Sequence, residues 1–111
     1  MRFLRLAVLA SALALPAAAH QAPSGWEYDP SCCSGTDCAP VPDEAIREAQ
    51  GGYEVLIQPG THPMVGEGAE PARRFVPHGD PRIRTSGDER KHACVSRFGA
   101  IYCLYVPPSG A

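Results

Sequence analysis

The chain has 111 residues, 12 of them acidic and 10 basic, with 12 prolines, 11 glycines and five cysteines. That length allows one small domain whose core is only marginally sufficient without covalent staples. The slight acidity, a net charge of −2, argues against a nucleic-acid partner.

Met1-Arg2-Phe3-Leu4-Arg5 is a short cationic start, and the apolar run from Leu6 to Leu15 has the length of a signal peptide rather than a membrane span. Pro16-Ala17-Ala18-Ala19 supplies small residues for cleavage, so residues 1–19 are predicted to be removed, leaving His20 as the N-terminus of a single domain over 20–111. With no cysteine at the cut, a lipid anchor is not expected, and no membrane span remains after cleavage. The predicted destination is the periplasm or the medium, where disulfides persist.

Charge is unevenly placed in the remainder. Residues 20–72 hold nine acidic groups against Arg47 alone, whereas 73–111 hold seven basic groups against Asp80, Asp88 and Glu89. The plain reading is that an acidic half packs on a basic half. The sharper one is that Arg73, Arg74, Arg82, Arg84, Arg90 and Lys91 form a surface for an anionic envelope component such as a polysaccharide.

Trp26 and Tyr28 precede Cys32-Cys33-Ser34-Gly35-Thr36-Asp37-Cys38, three cysteines in seven residues separated by turn formers. The two aromatics suit a sugar platform, but a Trp near the start of a small domain is more commonly the lid of its core. Asp43 to Gln50 reads as a two-turn helix, with Asp43 as cap, Ala45, Ile46 and Ala49 on one face, and Gly51-Gly52 as terminator. Tyr53 to Ile57 reads as a strand. Residues 58–90 read as mostly loop, with one strand near Arg73 to Pro77 that belongs at a sheet edge because Pro77 cannot donate to a ladder.

Lys91 to Val106 contains two β-prone runs joined at Phe98-Gly99 and reads as a β-hairpin, the element onto which the rest is expected to pack. Its loop length governs the disulfide map. A loop of even length centred between Phe98 and Gly99 sets Cys94 opposite Cys103 and permits a bridge between them. A three-residue loop, Arg97-Phe98-Gly99 with Gly99 left-handed, pairs Ser96 with Ala100 and sends the two cysteines to opposite faces. Phe tolerates positive φ poorly, which favours the three-residue loop and hence bonding of Cys94 and Cys103 to two of Cys32, Cys33 and Cys38. Five cysteines then make two bridges and leave one thiol.

His20, Trp26-x-Tyr28, Cys32-Cys33-Ser34-x-x-Asp37-Cys38-x-Pro40-Val41, Gly52-Tyr53-x-Val55, His92-x-Cys94 and Cys103-Leu104-Tyr105-x-Pro107 together give the chain a recognisable signature. In these it resembles a group of small exported alphaproteobacterial proteins of unknown function. The resemblance implies a shared disulfide-rich fold and no activity.

The expected architecture is therefore a β-rich α+β domain with a C-terminal hairpin, one short helix and two disulfides. No Ser-His-Asp spacing, phosphate loop, paired carboxylates or Cys-x-x-Cys stands out, so an enzyme is not expected and no cofactor is required. The expected role is a non-catalytic envelope protein that binds or supports another component. One competing class is copper binding, through the amine and imidazole of His20 with His62, Met64 and His92. The other is thiol–disulfide redox chemistry at the leftover cysteine, with no activating base evident for it. A four-thiolate zinc site is disfavoured by an oxidising compartment.

Overall fold

The structure, a computed structural model, describes residues 21–108; the expected signal peptide over 1–19 and His20 lie outside the described residues. Seven strands are described: β1 Cys38–Pro40, β2 Ile46–Ala49, β3 Gly52–Ile57, β4 Ala72–Pro77, β5 Ile83–Thr85, β6 His92–Val95 and β7 Ile101–Val106. They form a four-stranded sheet in the order β1-β6-β7-β5 and a three-stranded sheet in the order β2-β3-β4. All pairings are antiparallel except β5 with β7.

The expected helix is absent, and the α+β class gives way to a small all-β arrangement in which Asp43–Ala45 forms a single 3-10 turn. Two turns of helix are marginal in water without strong packing. Pairing instead with β3 gives Ile46–Ala49 four cross-strand partners, from Ile46 opposite Val55 to Ala49 opposite Gly52. It also buries the β-branched Ile46 completely while Arg47 and Glu48 stay in water. Lys91 ties the turn down by donating from Nζ to the carbonyls of Asp43, at 3.0 Å, and Ile46, at 2.9 Å. β4 is an edge strand, as Pro77 requires.

The central hairpin combines both registers that the sequence left open. Arg97-Phe98-Gly99 is the loop: Ser96 N donates to Ala100 O at 2.8 Å, and Gly99 takes φ +83°, a conformation that costs a side-chain-bearing residue about 1–2 kcal/mol. The inference that this loop sends Cys94 and Cys103 to opposite faces is nevertheless overturned. Val95 pairs with Ile101 but Cys94 pairs with Cys103, because Tyr102 is an extra residue in a β-bulge. One inserted residue inverts the facing of everything beyond it, so the two cysteines come to lie directly opposite on the same face.

That inversion gives the four-stranded sheet two buried faces. Ala93, Val95, Ile101 and Leu104 join Ile46, Val55, Ile57, Ala72 and Val76 of the other sheet in the main core. Cys94, Cys103 and Tyr105 join Ala22, Tyr28, Cys32 and Cys33 in a second cluster roofed by the N-terminal segment. Two disulfides fasten the roof: Cys32 to Cys103 and Cys38 to Cys94, the latter within the β1–β6 pair.

Candidate functional site

Three groups of polar or exposed side chains lie on or beside the four-stranded sheet: a network under the roof, a sulfur cluster at the start of β1, and the surface around the hairpin tip.

The network under the roof is centred on Asp88. Its carboxylate accepts from Ser24 Oγ at 2.6 Å, Arg90 N and His92 Nε2 at 2.8 Å, and Trp26 Nε1 and Ser86 Oγ at 3.0 Å. Burial opposes its charge, but the bonds from His92, Ser24 and Trp26 outweigh that cost and hold it well below the usual carboxylate range. His92, wholly buried, meets Tyr28 Oη at Nδ1 across 2.8 Å. Burial, reinforced by the Asp88 charge, pushes the Tyr28 phenol far above its ordinary value. Trp26 lies edge-on to Tyr28, His92 and Tyr105, with centroids 4.9–5.2 Å apart, and lies so close over Gly87 that a Cβ there would collide with the indole. Trp26 and Tyr28 therefore pack as the lid of the second core cluster. Tyr28 and His92 of the Tyr–His–Asp sequence are buried, Asp88 is partly exposed, and the bonds they share tie the roof to the sheet.

Among the described residues, neither His62 nor His92 belongs to a cluster of potential metal ligands. His62 is buried and spends both ring nitrogens: Nδ1 accepts from Met64 N at 3.1 Å, so Nε2 carries the hydrogen and donates to Ala93 O at 2.9 Å. Burial lowers its proton affinity and keeps it neutral. With His92 equally committed, the copper reading is left with His20, outside the described residues, and the half-buried Met64 thioether.

Cys33, outside both bridges, lies in the roof with its thiol 3.4 Å from Gly35 O. The Asp37 carboxylate also accepts from this thiol, and it takes Ser34 N at 2.9 Å and Ser34 Oγ at 3.1 Å. Burial pushes the Cys33 thiol up; burial likewise works against the Asp37 charge, but its hydrogen bonds more than compensate and lower it. The sulfur atoms of Cys33 and Cys38 and a carboxylate oxygen of Asp37 all lie within 4.8 Å of one another.

At the hairpin tip the chain leaves apolar surface in water. Phe98 is 84% exposed and Tyr102 is 48% exposed, and the Arg97 guanidinium stands 4.9 Å over the Phe98 ring. Tyr102 faces out because it is the bulge residue. Two clefts flank Phe98. One, of about 440 Å³, is walled by the 34–37 loop, Met64, Arg97 and Tyr102, and the other, of about 360 Å³, by Pro71, Arg73, Glu70 and Arg97.

The predicted basic surface is divided up. Arg82 pairs with Asp80 and Arg84 with Asp29, each at 3.0 Å, and Lys91 is taken by the 3-10 turn. Arg73 and Arg74 stand exposed on β4, and Arg73 alone of the predicted group reaches the tip clefts. Arg97, Phe98 and Tyr102 were not singled out as site residues. A bulky aromatic in a three-residue loop, where small turn formers usually stand, is the signal that marks them. Comparison with protein-family models, with curated proteins and with solved structures finds no match for this chain.

Proposed function

We propose that the protein is an exported, non-catalytic binding module of the cell envelope, and that it engages an anionic partner with the tip of the β6–β7 hairpin. Two disulfides support an oxidising compartment, and among the described residues no helix is long and apolar enough to cross a membrane. The observation that carries the reading is the exposure of Phe98 between two clefts, with Arg97 stacked on it and Arg73 across one cleft. Leaving a Phe side chain in water forgoes roughly 2 kcal/mol of burial, which contact with a partner would recover. Arginine beside an aromatic face suits a ligand that presents carboxylates on an apolar or ring-shaped frame.

The chain from His20 should therefore bind a polyuronate in preference to neutral dextran. Phe98→Ala and Arg97→Ala should each weaken binding about tenfold, the scale of one well-placed contact at an interface, with the melting temperature unchanged because both side chains lie outside the core. Equal affinity for the charged and neutral polymers, or no loss in either variant, would refute this assignment.

A further inference from the structure

Cys33 and the Cys38–Cys94 bridge together carry chemistry that neither has alone. Because the Cys38 sulfur is half of a disulfide, the cluster of Cys33, Asp37 and Cys38 sets a thiol and an electrophilic sulfur, with a carboxylate beside them, within 4.8 Å of one another. Thiol–disulfide exchange needs a thiol that can ionise within reach of a disulfide sulfur. Cys33 is 1% exposed, which shuts out bulky external disulfides and turns it toward the bridges packed around it, of which Cys38–Cys94 has its sulfur in this cluster. Bonding to Cys32 would close a ring through one peptide unit, whereas Cys38 lies five residues on, beyond the turn formers Ser34 and Gly35.

We propose that Cys33 is the internal nucleophile of an exchange that converts the Cys38–Cys94 bridge into a Cys33–Cys38 bridge. The Cys33 thiol loses its proton to solvent hydroxide, and the thiolate attacks Cys38 Sγ. The Cys33–Cys38 bond forms as the Cys38–Cys94 bond breaks, and the electron pair leaves on Cys94 Sγ, which takes up a proton from water. Two bridges and one thiol stand on each side of the reaction, so no oxidant or reductant is needed. The exchange frees β1 from its covalent tie to β6, leaving a ladder of three residue pairs. It also closes the 34–37 loop, one wall of the larger tip cleft, into a local ring. The step goes beyond the binding role and stands or falls independently of it.

Burial keeps Cys33 protonated, the Asp37 carboxylate just before β1 adds negative charge that opposes the thiolate, and the phenols of Tyr28 from the roof and Tyr105 from β7 also face it. Exchange should therefore speed up as pH rises. The chain from His20, held at about pH 6 and about pH 9, is quenched in acidic denaturant, alkylated with a maleimide, digested without reduction and mapped by mass spectrometry. The expected result is a label that moves from Cys33 to Cys94, several-fold faster at the higher pH and at a rate independent of protein concentration. In Cys33→Ser no Cys94 label should appear. A label confined to Cys33 under both conditions, a rate that grows with concentration, or Cys94 release in Cys33→Ser would each overturn the proposal.

Discussion

Reduction of both disulfides is expected to remove the cooperative thermal transition at physiological temperature. The bridges join residues 71 and 56 positions apart, and in the chain-entropy description a loop of that length is worth roughly 4 kcal/mol, while losing one native bridge from a small domain costs about 2–5 kcal/mol. The two loops overlap, so the effects do not simply add, but total stabilities lie only near 5–15 kcal/mol. The second cluster is also built on the bridges themselves: Cys32, Cys94 and Cys103 are among its buried members, and β1 has just three paired residues to hold it without Cys38. Circular dichroism melts with and without a phosphine reductant provide the check. A reduced protein that melts cooperatively within a few degrees of the oxidised one would show that the sheets suffice alone.

Asp88→Ala should be the most damaging single substitution outside the cysteines, at roughly 3 kcal/mol, because it strips five donors of their acceptor. His92 Nε2 and Trp26 Nε1 would lose a charged acceptor in a part-buried setting. The same carboxylate makes stability depend on pH. Its proton affinity is lower in the fold than in the open chain, so the unfolded state binds more protons below about pH 4. The Asp88 contribution is thus fully present above the ordinary carboxylate value and lost as pH falls through and below it. Urea unfolding at about pH 7 and pH 3 should show the gap between the native protein and Asp88→Ala narrowing in acid. A gap that is small at pH 7, or that widens in acid, would mean that the network does not hold the roof.

The sequence carried the hairpin openly, because Arg97-Phe98-Gly99 allows few ways to turn and the apolar runs on either side are β-prone. The bulge at Tyr102 was hidden: Ala-Ile-Tyr-Cys-Leu reads as an unbroken strand, and only the requirement that Ile101 and Leu104 both enter the main core exposes the extra residue. A correct loop therefore led to a wrong facing for Cys94 and Cys103, although the expected bonding of both to the 32–38 segment matches the bridges observed. Asp43 to Gln50 carried sound helix-capping signals, and they lost to a tertiary competitor, the β3 strand across the Gly51 turn. The network around Asp88 could not be read locally, since Ser86 to Arg90 looks like a solvated turn until Trp26 and His92 arrive from more than one segment of the chain. His62 and His92 resembled ligands for a similar reason, since one ring partner of each, Ala93 O for His62 and Tyr28 Oη for His92, is distant in sequence.

A disulfide map obtained wholly in acid, where exchange is arrested, tests the central claim that the N-terminal segment is clamped across the hairpin. Pepsin digestion of the unreduced protein at low pH should yield one peptide pair joined through Cys32 and Cys103 and another through Cys38 and Cys94, with Cys33 recovered as a thiol. A product in which Cys94 and Cys103 are joined only to each other would contradict the account, because the roof would then have no covalent hold on the sheet it covers.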